Sequence, residues 1–186
     1  VKKMFSNKEL AKVMNDNGFQ FSSANSINIG RLVPQVVYYV KAYADLLKQG
    51  ALKAGEPMNV VVPTGNFGNI LASYYAKQMG LPVHKLICAS NDNKVLYDFF
   101  RTGTYDRKRE FILTSSPSMD ILISSNLERL IYRITGEDAA QTKVFMDALS
   151  SNGEYTITKE MMEQFVAYLQ SRSAVSYTHL RAHETR

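Results

Sequence analysis

The chain has 186 residues, 45% of them apolar and 21% charged, which is enough apolar material for one sizeable core and makes one domain the default. Its net charge of +5, from 22 basic and 17 acidic residues, is scattered rather than striped, which favours a small anionic ligand over nucleic acid. The single Cys88 excludes an intrachain disulfide and fits a reducing cytosol. No signal pattern opens the chain and no apolar run approaches the roughly 18 residues of a membrane span, so we expect a soluble, cytoplasmic protein with no membrane partner.

In chain order, residues 7–18 predict a helix, with Asn7 as cap, Leu10, Val13 and Met14 on one face and Gly18 beyond the end. A polar turn then leads into a long helix that ends at Gly50. Val36, Tyr39, Val40, Tyr43, Leu46 and Leu47 recur on its buried face, and Pro34 bends or restarts it near the beginning. "MNVVVPT" (58–64) lacks polar alternation, the pattern of a strand covered on both faces in a parallel sheet. "NILASYYAKQMG" (69–80) reads as a helix and "LPVHKLICAS" (81–90) as the next strand, which completes a right-handed βαβ unit. Asn91 and Asn93 follow that strand, where ligands gather in open α/β sheets, and they equally suit caps of a helix near Val95. In "TSSPSMDILISSNLERL" (114–130), Ser116 as cap, Pro117 and Asp120 form a helix start. No general base can be named beside Ser115, Ser118 or Ser125, which argues against a nucleophile. Asp138 and Gln141 predict a capping box for a helix with Val144, Phe145, Ala148 and Leu149 on one face, and Thr158 caps a last helix through residue 170.

The informative stretch is "VVPTGNFGNI" (61–70), the first turn of the βαβ unit. A turn at the carboxyl end of a parallel strand aims unpaired main-chain N–H groups and the positive end of a helix dipole outward, which suits a phosphate. Gly65 and Gly68 would allow close approach, and Thr64, Asn66 and Asn69 would add donors. The stretch is neither a Walker loop nor a dinucleotide fingerprint, and the glycines equally suit a tight turn with no ligand.

"VVPTGNFGNILASYYAKQMGLPV", together with "SANSINIGRLVPQ" (23–35) and "ICASNDNKVLYDFFRTGTYD" leading to "TSSPSMDILISSNLERL", resembles the threonine synthases, members of the tryptophan-synthase-β-like (type II) pyridoxal-phosphate enzymes. Three separated motifs stand in order, and the resemblance spans nearly everything from residue 1 to about 172. The resemblance implies an α/β fold, a parallel twisted sheet flanked by helices, incomplete here and with a helical C-terminal part. It also implies a lyase that converts O-phospho-L-homoserine and water to L-threonine and phosphate, with pyridoxal 5'-phosphate (PLP) as electron sink. Carried over by motif, Thr64, Gly65, Asn66, Phe67, Gly68 and Asn69 form or border the cofactor-phosphate cradle. Asn25, Ser26, Asn28 and Arg31 lie near the cofactor or the substrate's phosphate, and Arg31 is the candidate for paired contacts to phosphate oxygens. A helix cap at Ser26 or Asn28 and a solvated Arg31 is the alternative.

Two departures qualify the resemblance. The family's cofactor-binding lysine belongs to a segment upstream of what residue 1 resembles, Lys2 and Lys3 do not match its motif, and the segment that contacts the pyridine nitrogen is missing. The chain therefore reads as a middle fragment, inactive and marginally stable alone. The tail "SAVSYTHLRAHETR" (173–186) breaks the family pattern and resembles translated adapter sequence, so His179 and His183 are discounted as metal ligands and the tail is set aside from the fold. Another type II β-replacing synthase would share the loop, and "SPSMDILISSNLER" argues against it. "GNFG" is formally the G-x-x-G of RNA-binding KH domains, but it follows a buried strand and lacks their basic middle.

Overall fold

The computed structural model describes residue 4, residues 7–22 and 24–163 and, as backbone, residues 175–179. α1 (Lys8–Asp16) starts where Asn7 caps it, its side chain accepting from Leu10 N at 3.0 Å. None of its residues is fully buried, and Leu10 and Met14 of its apolar face are only partly covered. Pro34 divides the next helix as its missing N–H requires: α2 (Ile29–Leu32), a 3-10 turn (Val33–Gln35) and α3 (Val36–Lys48) follow in succession. On α3, Val36, Tyr39 and Tyr43 are buried, while Val40, expected on the same face, is 49% exposed. Leu32 and Tyr39 take the inward direction, which leaves Val33, Val37 and Val40 outward.

β1 (Met58–Pro63) and β2 (Val83–Ser90) pair in parallel, with Val62 opposite Cys88, and α4 (Gly68–Gln78) crosses between them. The parallel βαβ unit is thus present, but β1 is not covered on both faces. It is an edge strand, and Val61 is 52% exposed where a doubly covered strand was expected. α4 packs on β1 and β2 and carries α3 on its outer side. Beyond β2 the sheet continues with β5 (Val175–His179), parallel to β2 and registered so that His179 faces Ser90, so part of the tail set aside in the sequence reading forms a strand. Residues 173, 174 and 180–186, His183 among them, lie outside the described residues, as do Lys2, Lys3 and residues 164–170 of the last expected helix. That helix begins as expected, Met161 N donating to Thr158 Oγ1 at 3.2 Å.

α5 (Val95–Thr102) closes on Gly103 and turns directly into β3 (Thr104–Asp106), which pairs antiparallel with β4 (Glu154–Thr156). Tyr105 and Tyr155 are register partners with rings stacked 5.5 Å apart, and Phe99 meets both edge-on at 5.6 and 5.7 Å. Such aromatic cross-strand pairs stabilise a ribbon too short to hold by its ladder alone. The segment 114–120 does not grow into the helix its sequence suggests: only a 3-10 turn forms (Pro117–Met119), and Ser116 makes no side-chain cap. The Asp120 carboxylate accepts instead from Thr114 N and Oγ1, at 2.9 and 2.7 Å, so the acidic residue expected in a first turn folds the loop back on itself. The helix starts later, as α6 (Leu127–Ile134), and α7 (Ala139–Ser151) packs against it. Asp138 caps α7 through Gln141 N at 2.9 Å, but Gln141 does not return the bond, and Val144 is 65% exposed.

Candidate functional site

Strand geometry persists through Thr64, whose N–H donates to Ala89 O at 2.9 Å. The chain then reverses through Phe67, which adopts φ 63°, a left-handed conformation that costs a residue bearing a β-carbon about 1–2 kcal/mol. The ring is buried, 6.4 Å from that of Phe100, and burying it outweighs that strain. α4 begins immediately after, with no side-chain cap.

The carbonyls of this turn are held from behind. Ser124 Oγ donates to Gly65 O at 2.8 Å, and Asn126 donates to Asn66 O through both its main-chain N (3.0 Å) and its Nδ2 (2.9 Å). Ser124 is itself placed by Tyr105, whose hydroxyl accepts from Ser124 N at 2.8 Å, so the β3–β4 ribbon reaches the turn through one residue. Burial pushes the Tyr105 hydroxyl up to about 12, which keeps it protonated. With the carbonyls anchored, the N–H groups of Gly65, Asn66, Phe67, Gly68, Asn69 and Ile70 have no acceptor among the described residues. They stand at the positive end of an 11-residue helix.

These residues line a cleft of about 430 Å³. Nine of the ten residues singled out in the sequence meet there: Thr64, Gly65, Asn66, Phe67, Gly68 and Asn69 from the turn, with Asn25, Ser26 and Arg31 from the segment that enters α2. Asn28 stands apart as the cap of α2, its Oδ1 accepting from Gly30 N at 2.9 Å. Arg31 has no carboxylate partner among the described residues, which leaves its charge available to a ligand in the cleft. No lysine among the described residues lines the cleft.

The two turn glycines serve the protein's own packing. A β-carbon on Gly68 would lie 2.5 Å from Ser26 Cβ, and one on Gly65 would lie 2.7 Å from Ser118 O. The close approach is between the turn and two other chain segments, which brings Ser26 and Ser118 to the cleft wall. Asn91 and Asn93 are buried and contribute to neither wall: both donate to Asp120 Oδ1, at 2.6 and 3.1 Å, and Asn93 also clasps Ile112 through its O and N–H. The main-chain N–H of Thr114 first, then the hydroxyl of Thr114 and the amides of Asn91 and Asn93, hold the Asp120 carboxyl below the usual carboxylate range.

Sequence reasoning missed Gln35, Tyr38 and Asn126, while Ser118, set aside as a nucleophile, lines the cleft. Gln35 carries a signal, a lone amide four residues after Arg31 in an otherwise apolar helical run. Asn126 carries none, because the turn carbonyl it holds, Asn66 O, is 60 residues away in the chain. Among the described residues no three His, Cys, Asp or Glu side chains gather as a metal site would need, and no helix is long and apolar enough to cross a membrane.

No protein-family model matches the chain. Its sequence is 48% identical over 166 residues to human threonine synthase-like 1 and 37% identical over 172 residues to the threonine synthase of Saccharomyces cerevisiae, each alignment covering 88% of this chain. The chain is related to the threonine synthases. The fold agrees: the crystal structure of PLP-bound threonine synthase from Brucella melitensis superposes with TM-score 0.76 and 38% identity over 96% of the chain. The chain spans only 22% and 32% of the two threonine synthase relatives and 35% of the Brucella chain. The chain is an α/β unit with a small parallel sheet and superposes on part of the fold of that threonine synthase.

Proposed function

We propose that the cleft seats phosphate groups within a PLP-dependent lyase of the threonine synthase kind, which takes O-phospho-L-homoserine and water to L-threonine and phosphate. The observation that carries this reading is the turn at residues 65–70, six main-chain N–H groups without acceptors among the described residues at the start of α4, beside an Arg31 with no carboxylate partner among them. Oriented N–H groups at a helix N-terminus accept a phosphate with no reorganisation, and their fixed carbonyls keep them so.

The residues present suit the phosphate of PLP: the turn offers main-chain donors, and its glycines let Ser26 and Ser118 close in beside them at the cleft wall. Thr64 to Asn69 would hold the cofactor's phosphate, and Asn25, Ser26 and Arg31 the phosphate of the substrate, whose planar guanidinium partner matches two phosphate oxygens at once. When bound, PLP supplies the electron sink that the chemistry needs. Because no described lysine lines the cleft, the chain alone is expected to bind and orient phosphates without turnover.

The test is a PLP titration of the purified chain with borohydride trapping and an assay of phosphate release from O-phosphohomoserine. Saturable binding that Gly68→Asp abolishes, with no lysine trapped and no phosphate released, is expected. Absence of saturable binding overturns the phosphate-seat reading, and a trapped lysine with turnover overturns the expectation of inactivity.

A further inference from the structure

A buried amide, that of Gln35, ties the α2 wall of the cleft to the first turn of α4. Gln35, 9% exposed, donates through Nε2 to Ser26 Oγ at 2.9 Å and to Arg31 O at 2.8 Å, while its Oε1 accepts from Asn69 Nδ2 at 3.3 Å. Asn69 is fixed from its other side by Tyr39, whose hydroxyl donates to Asn69 Oδ1 at 2.5 Å and to Asn69 O at 2.9 Å. The orientation of every group in this line follows from its neighbour. The Arg31 carbonyl can only accept, so it sets the Gln35 NH₂ toward Arg31 and Ser26 and the Gln35 oxygen toward Asn69, whose NH₂ then faces Gln35 and whose oxygen faces Tyr39. Ser26 Oγ thus receives a hydrogen bond, and its own proton remains to be donated elsewhere. Ser26 lines the cleft beside Gly68. Burial raises the Tyr39 hydroxyl above its usual range, which favours it as a donor to Asn69.

We propose that Gln35 is a positioning residue that holds Ser26 as a hydrogen-bond donor to an anion in the cleft and locks the α2 wall to the first turn of α4. The proposal rests on the phosphate reading of the site and adds the residue that sets the direction of one donor. Gln35→Met keeps length and removes both polar atoms, freeing Ser26 to turn its proton away. Gln35→Glu keeps shape but presents only acceptors, so Ser26 must donate to the carboxylate and is lost to the ligand.

A double-mutant cycle tests this on the full chain, with inorganic phosphate as the probe in calorimetry and thermal unfolding followed in parallel. Loss of one hydrogen bond to a charged group corresponds to about a tenfold or greater loss of affinity. Ser26→Ala and Gln35→Met should each weaken phosphate binding by about tenfold, and the double variant should bind no worse than Ser26→Ala alone. Gln35→Glu should weaken it further than Gln35→Met. Additive losses, or a lowered melting temperature with phosphate affinity unchanged, would make Gln35 a packing residue and overturn the proposal. Failure of the unmutated chain to bind phosphate overturns the underlying reading and this proposal together.

Discussion

Replacing Gly68 by alanine sets two known effects against each other at the first residue of α4. Gly68 is not in the left-handed region, so alanine relieves glycine's conformational cost in a helix, a gain of about 0.5–1 kcal/mol. Against it, the new methyl would lie 2.5 Å from Ser26 Cβ, 2.6 Å from Ser26 Oγ and 3.3 Å from Asn126 Nδ2. Neither neighbour is free to yield, because Ser26 is held by Gln35 and Asn126 by Asn66 and Arg129. Forcing a methyl into such a contact costs roughly 1–3 kcal/mol, so the clash wins. The expected net is a loss of about 1–2 kcal/mol by urea unfolding, together with weaker phosphate binding as Ser26 is pushed from its place. The clash is with Ser26 itself, so Ser26→Gly placed on the Gly68→Ala background should recover most of the stability but not the phosphate affinity. A Gly68→Ala chain that is more stable than the parent and binds phosphate equally well would refute the packing argument.

Four further outcomes are expected. Asp120→Asn should lower the melting temperature at neutral pH: the folded-state pKa of Asp120 is depressed, so its contribution is present above the ordinary carboxylate value near 3.8 and fades as pH falls below it. The gap between parent and variant should therefore close on acidification. Phe67→Gly relieves the strain of φ 63° but empties a buried site, and should destabilise by about 2–3 kcal/mol in chemical denaturation. Tyr39→Phe leaves Asn69 Oδ1 without its donor and should cost about 1–2 kcal/mol by the same measurement. Val37→Lys, at a position 62% exposed, should change unfolding free energy by less than about 0.5 kcal/mol, whereas Leu32→Lys on the same helical run should prevent folding as judged by circular dichroism.

The parts of the fold legible in the sequence are those governed by local chemistry. Asn7 and Asp138 cap their helices, Pro34 breaks the long helix, and the βαβ unit around residues 58–90 pairs in parallel, because each follows from residues within a few positions of one another. Of the nine cleft residues, Thr64, Gly65, Asn66, Gly68 and Asn69 followed from the turn itself, whereas Phe67, Asn25, Ser26 and Arg31 followed from the resemblance to threonine synthases. What was not legible depends on distant partners. Asp120 reads as a helix-start acid until Asn91 and Asn93, nearly 30 positions away, claim it, and the β3–β4 ribbon exists because Tyr105 can stack on Tyr155, fifty residues later. Val40 and Val61 have the composition of core but lie outward because the described chain places no element over them. The glycines of the turn were read as making room for a ligand, and the structure shows them making room for Ser26 and Ser118.

The central claim is that the N–H groups of residues 65–70, which have no acceptor among the described residues, receive a phosphate. The most direct measurement is a phosphate titration of the isotope-labelled chain followed by amide nuclear magnetic resonance, reading each main-chain N–H separately. Saturable downfield shifts concentrated at Gly65 to Ile70, with one common affinity that Arg31→Ala weakens, are predicted. Shifts absent from that turn, or spread over surface lysines without saturation, would contradict the account.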